Sequence, residues 1–249
     1  MSCCALRVFA FELPRRLQPL GAVGGIVLST TAVVMVAAHA AGPTPRVVEV
    51  PFRPAFVRVS GGAEQPARPG MLLAPQTILR TEKPGRLQVR LANGRQFRLG
   101  GDAVLRLGSG ALTLEKGQII AWVNPDQKGG SPLRIRTRTA TASIVGTTVF
   151  IEATADSLKV FSWEGHVQVD TDSGRRYDLS SGQQVSFAND TWVSPQRLST
   201  SEAAARRQKS LLLNGFATPM DTLPVIEKEL GISALPAPAA APAAAPAAR

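Results

Sequence analysis

Side chains able to do chemistry are scarce once the first forty residues are set aside. Beyond that point the chain has one histidine, His166, and no cysteine, because Cys3, Cys4 and His39 all fall earlier. A zinc site draws on several His or Cys ligands, and a thiol–imidazole pair needs a cysteine, so both lack material. A serine triad would have to use His166. In the run Val160-Phe161-Ser162-Trp163-Glu164-Gly165-His166-Val167-Gln168-Val169, alternation along a strand puts Phe161, Trp163, Gly165, Val167 and Val169 on one face. Val160, Ser162, Glu164, His166 and Gln168 take the other, so His166 is expected to face solvent. There is no Walker loop and no GxGxxG, and Gly100-Gly101 and Gly129-Gly130 read as turns. Asp170 and Asp172 sit in Asp-Thr-Asp-Ser-Gly-Arg-Arg between two apolar runs, a hairpin turn too poor in acids for a calcium loop. Glu115, Glu152 and Glu164 remain as acids for glycan hydrolysis only by exhaustion. Each is expected on a strand surface. The sequence therefore predicts no catalytic, cofactor-binding or metal-binding residue, no cofactor, and no enzyme activity.

The elements that would position such residues are short strands. The chain has 249 residues, 44% hydrophobic and 18% charged, with 22 glycines and 19 prolines. That is enough apolar content for a core, and the Gly and Pro mark many turns. Leu87, Val89 and Leu91 alternate with polar residues up to Asn93-Gly94, a hairpin signal. Phe97 and Leu99 follow, then a turn at Gly100-Gly101-Asp102, then Leu105 and Leu107, then Gly108-Ser109-Gly110 and Leu112 and Leu114. The run 118–123 (Gln-Ile-Ile-Ala-Trp-Val) is apolar on both faces, as in a central strand. Further strands are expected over 133–137, 147–153, 158–163 and 167–169 and around Tyr177, Leu179, Val185 and Phe187. Strand-length runs at intervals of roughly 8–12 residues predict an all-β fold, a two-sheet sandwich or β-roll of many short strands. After Ser194 the pattern changes. One or two short helices are expected, over 201–214 and 224–230.

Four segments follow: a leader over 1–40, a β domain over 46–194, a helical segment over 195–233 and a Pro/Ala-rich tail over 234–249, which reads as disordered. In the leader, Arg7, Arg15 and Arg16 precede an uncharged stretch whose centre is Leu20 to Ala38, followed by Ala38-His39-Ala40 and then Pro43. That order fits a cleaved signal peptide. An uncleaved anchor is the competing reading, since nineteen residues at 1.5 Å each reach roughly 28 Å. Either sends the remainder out of the cytoplasm, to the periplasm or another extracytoplasmic space, with an inner-membrane anchor at residues 20–38 in the second case.

Six short motifs in order resemble the FecR domain, found in envelope regulators of bacterial iron-citrate uptake and in stand-alone exported proteins. They are Ile78-Leu79-Arg80-Thr81, Leu91-Ala92-Asn93-Gly94-Arg95, Leu112 to Gly117, Ile144-Val145-Gly146-Thr147-Thr148-Val149-Phe150, Trp163-Glu164-Gly165-His166-Val167, and Leu179-Ser180-Ser181-Gly182-Gln183. The resemblance covers about residues 56–190. Val145 stands where that family often has arginine. Only about twenty residues precede the apolar run, where the family's sigma-factor regulators carry a folded cytoplasmic domain. The resemblance implies an exported, non-catalytic binding or signalling module of the cell envelope, with a membrane-anchored signal regulator of the anti-sigma type as the alternative.

Charge suggests partners. Beyond residue 40 the chain keeps 25 basic and 17 acidic side chains, a formal +8. If Leu87 and its alternating partners point inward, Arg86, Arg90, Arg98, Arg106, Arg134, Arg136 and Arg138 point outward and form a stripe. Such a stripe would attract an acidic envelope polymer, an envelope protein or lipid headgroups. Nucleic acid is not expected, because the protein is exported and its single tyrosine offers no stacking platform. The sequence leaves the oligomeric state open.

Overall fold

The computed structural model describes residues 44–124 and 131–233. The leader, Gly129-Gly130 and the tail from residue 234 lie outside the described residues. Period-two alternation resolves into β1 (Arg46–Phe52), β2 (Ala55–Arg58), β3 (Gln65–Pro66), β4 (Ile78–Thr81), β5 (Arg86–Arg90), β6 (Gln96–Leu107), β7 (Leu112–Trp122) and β8 (Leu133–Arg136). There follow β9 (Ala140–Ile144), β10 (Thr148–Ala153), β11 (Ser157–Glu164), β12 (Val167–Thr171), β13 (Arg176–Leu179), β14 (Gln183–Ala188) and β15 (Thr191–Arg197). Three short helices close the described chain: α1 (Thr200–Lys209), α2 (Leu211–Asn214) and α3 (Leu223–Leu230). The fold is mostly β, as the alternation predicts.

The β6–β7 hairpin is the spine of the fold. Its open end pairs with β5 and β10, and its closed end pairs with β4 and β8. The hairpin therefore belongs to two half-sheets. One runs β2-β4-β6-β7-β8-β9-β12-β13, and the other runs β1-β5-β6-β7-β10-β11-β14-β15. Pairing is antiparallel except between β7 and β8. Both halves turn alternate side chains onto one core, with Leu79, Leu105, Leu114, Ile135 and Val169 from the first and Val89, Leu99, Ile119, Ile151 and Val160 from the second.

Gly100-Gly101-Asp102 is therefore not a turn between strands, as its composition suggests, but a crease within one strand. The register slips between Gly100 and Val104, Asp102 has φ +55, and on β7 the register shift leaves Glu115 as an extra residue. Gly117 lies opposite at φ +93, and a Cβ there would overlap Ala103, whose amide nitrogen would be only 2.8 Å away. Only glycine combines that dihedral with so close an approach.

The outer face of the second half-sheet carries a second apolar cluster. Ile120, Trp122, Phe161 and Trp163 meet Ala203, Leu212, Leu213, Phe216, Met220, Ile226 and Leu230 from the helical segment. Each large buried side chain contributes about 2 kcal/mol, so the helices have good reason to cover this face. Ser199 caps α1 in a reciprocal arrangement with Glu202, and Gly231 ends α3 in the left-handed conformation. Among the described residues no helix is long and apolar enough to cross a membrane.

Candidate functional site

Three crossings between the half-sheets stack at one end of the sandwich. The chain passes from β9 to β10 through Val145-Gly146-Thr147, from β11 to β12 through Gly165-His166, and from β13 to β14 through Ser180-Ser181-Gly182. Each corner carries a glycine at positive φ: Gly146 at 58°, Gly165 at 70° and Gly182 at 76°. The corners are hydrogen-bonded to one another. The Thr147 hydroxyl donates to the carbonyl of His166 at 3.0 Å and accepts from the His166 amide at 3.2 Å. The Gly165 amide donates to Ser181 Oγ at 2.9 Å, and the Gly182 amide donates to the carbonyl of Ser162 at 2.8 Å. A Cβ on Gly165 would stand 2.7 Å from Thr147 Oγ1. The Gly-Thr, Glu-Gly and Ser-Gly motifs are thus three adjoining corners, in which the Thr147 and Ser181 hydroxyls bond the backbone of the Glu-Gly corner.

Glu164 ends β11 beside this junction. The register of β10 on β11 slips between Thr148–Glu164 and Val149–Ser162, leaving Trp163 as the extra residue. That bulge turns Glu164 toward the helices. Glu164 is 1% exposed, so it is not on a solvent face as strand alternation suggests. Phe161 and Trp163 pack under the helices, whereas Val167 and Val169, past the crossing at Gly165-His166, lie in the inter-sheet core. Thr148 Oγ1 donates to Glu164 Oε1 at 2.8 Å and lies 2.8 Å from Thr222 Oγ1 at the start of α3. Burial pushes the Glu164 carboxyl up to about 7; the Thr148 bond opposes this, and the charge of Glu229 adds to it. Glu229 of α3 accepts from the Gly165 amide at 3.1 Å and from the Ser181 hydroxyl.

The other end of the helical segment is held by Arg98, which is fully buried. Its guanidinium donates to Gln88 at 2.8 Å and to the carbonyls of Leu212, Leu213 and Thr218 at 2.9, 3.1 and 2.5 Å. It also stacks 4.3 Å from the Phe216 ring. Burial lowers its pKa to about 10, with Glu49 and Asp221 acting the other way. Glu49 of β1 accepts from the amides of Ala217 and Thr218 at 2.7 and 2.8 Å. Burial opposes ionisation of Glu49, but the Thr218 hydroxyl and these two amides outweigh it and hold its carboxyl below the ordinary range. Trp122 Nε1 donates to Asp221 at 2.7 Å.

Arg98 and Arg86 are buried under the helices, 0% and 6% exposed, and so leave the stripe expected of them. Arg90, Arg106, Arg134, Arg136 and Arg138 are exposed. The three glutamates weighed as acids do not converge. Glu115 pairs with Arg106 at 3.1 Å, Glu152 bonds Gln118 and Lys159, and Glu164 lies under α3. His166 is exposed, and its backbone, not its ring, joins the corner. Asp170 pairs with Arg176 across the expected hairpin, where Gly174 has φ +81.

Residues 77–168 match the model of the family described as FecR protein. The matched stretch runs from just before β4 into β12 and includes the Gly-Thr and Glu-Gly corners. Among solved structures it resembles two crystal structures, at 1.65 and 2.50 Å, of a "putative anti-sigma factor" from Parabacteroides distasonis. Both are 21% identical; one match covers 48% of this chain and 59% of that one with a TM-score of 0.43, and the other covers 53% and 64% with 0.45. The chain thus spans less than two thirds of the length of either. No curated protein matches it.

Proposed function

We propose that this protein is a signalling regulator of the bacterial cell envelope, built around a FecR domain that binds rather than catalyses. The observation that carries the reading is the match over residues 77–168, together with corner motifs whose polar groups are spent on one another. A module of this kind relays contact, and the helical segment clamped by Arg98 and Glu229 gives it a fixed C-terminal face. We place it outside the cytoplasm on the strength of the leader. The regulator reading is tested by comparing transcripts in a deletion strain with those in a complemented strain. A discrete set of genes is expected to shift, and unchanged transcripts in both strains under envelope stress would overturn it. A membrane-anchored form is favoured by the length of Leu20 to Ala38. N-terminal sequencing of the mature protein separates the two forms, because a new terminus at Ala41 removes the anchor.

A further inference from the structure

The helices cover one outer face of the sandwich, while among the described residues nothing covers the outer face of the other half-sheet. We propose that this open face docks a linear acidic polysaccharide along a single file of arginines.

The file follows from the strand register. Arg58 pairs Ile78, Ile78 pairs Arg106, Arg106 pairs Thr113, and Thr113 pairs Arg136. Arg136 then pairs Thr141, Thr141 pairs Asp170, and Asp170 pairs Arg176. Directly paired residues share a face, so eight strands contribute one lateral row. Leu79, Leu105, Leu107, Leu112, Leu114, Ile135, Ala142 and Val169, all next in sequence to row residues or one row further on, fill the core below. Arg58, Arg106, Arg136 and Arg176 are exposed. Between the first three stand Ile78 and Thr113, neutral and only partly buried.

Spacing and surroundings select the partner. Alternate strands lie about 9.5 Å apart, so Arg58, Arg106 and Arg136 present one guanidinium per 9.5 Å or so. That matches a chain with one carboxylate per disaccharide, and it is far wider than the phosphate repeat of a nucleic acid, about 3.4 Å per strand. A protein interface would want an apolar centre, and a membrane surface would want aromatic or large apolar side chains beside the cations. Ile78 is the row's one large apolar residue. At the Arg58 end a cavity of about 340 Å³ opens between Arg58, Ser60, Gly61, Gln76, Ile78 and Arg106. It has room for a sugar unit held between the first two arginines. Arg106 and Arg176 are shared with Glu115 and Asp170, and Arg58 acts electrostatically on Glu64. Exposed pairs of this kind are weak and exchange readily. Arg136 has no hydrogen-bond or ion-pair partner among the described residues.

This inference goes beyond the regulator reading. Transcripts can stay unchanged while the row binds, and the reverse holds too. The test uses the full-length protein and hyaluronate fragments, which carry one carboxylate per disaccharide, with binding read by calorimetry or interferometry at 20 and 200 mM salt. Binding is expected to weaken with salt, and neutral dextran is expected not to bind. Arg136→Glu and Arg106→Glu are each expected to weaken binding about tenfold, since reversal removes an attraction and adds a repulsion. Arg90→Glu, an equal charge change on β5 away from the row, is expected to leave binding unchanged. Unaltered circular dichroism confirms that each variant folds, and Arg136→Gln gives a milder second reading. Equal losses for all three reversals, no binding at low salt, or tighter binding to polyglutamate, oligothymidylate or phosphatidylglycerol vesicles would each overturn the proposal.

Discussion

Replacing Glu164 with glutamine isolates a buried carboxyl whose raised pKa makes this fold sensitive to pH. In the folded chain it titrates near 7, against an ordinary 4.5. The folded state therefore holds a proton that the unfolded chain has released between these values. Stability is full below about 4.5, falls as pH rises toward 7, and is level above. At 1.36 kcal/mol per pH unit the shift amounts to about 3 kcal/mol. Glutamine keeps an oxygen to accept from Thr148 but carries no charge beside Glu229. Urea unfolding at pH 5, 6, 7 and 8 is the assay. Wild type should lose about 2.5 kcal/mol across that range relative to Glu164→Gln, most of it between pH 5 and 7, with the variant the more stable at pH 8. In thermal melts the gap should widen by roughly 5–10 °C between pH 5 and pH 8. Parallel pH profiles for the two proteins would refute the reasoning, because they would mean that Glu164 titrates alike folded and unfolded.

Three further outcomes are expected. Arg98→Met should cost about 3 kcal/mol or more in urea unfolding, since it leaves three carbonyls and Gln88 without their donor, and hydrogen exchange should quicken in α2 and α3 first. Gly117→Ala should cost several kcal/mol or prevent folding, whereas Gly174→Ala, with φ +81 and nothing within 4 Å of its added methyl, should cost about 1 kcal/mol; equal melting points for the two would sink the crease argument. Ser199→Ala should cost about 1 kcal/mol by removing the cap of α1, readable as a small loss of helical signal and of thermal stability.

The sequence made the strands legible wherever alternation was clean. Leu87 to Val89 and Leu133 to Ile135 read as strands and are strands. The Asn93-Gly94 and Asp172 to Gly174 turns were readable because their side chains and glycines act locally. What alternation missed came from bulges. Trp163 as an extra residue swings Glu164 under α3, and Gly101-Asp102 creases β6 without ending it. Bulges change which way a strand faces without changing its composition, so no local pattern reveals them. The Glu229 contact with the Gly165 corner was likewise invisible, because it joins positions more than sixty residues apart.

Arg98 and Arg106 show where such reading stops. They sit on the same strand, and Phe97, Leu99, Ala103, Leu105 and Leu107 all point into the core, so both arginines do face outward as alternation requires. What differs is what lies outside. Across the second half-sheet, the row through Arg98 runs Gln88, Arg98, Ile120, Phe150, Phe161 and Gln184. Its middle is apolar, so the face must be covered, and an arginine caught there has to find carbonyls. The row through Arg106 holds arginine, threonine and aspartate around a single large apolar residue, Ile78, and can remain wet. Cover or exposure is thus a property of the lateral row rather than of the strand. It becomes readable only once register is known, which explains why Arg98 is a buried clamp and Arg106 stays exposed.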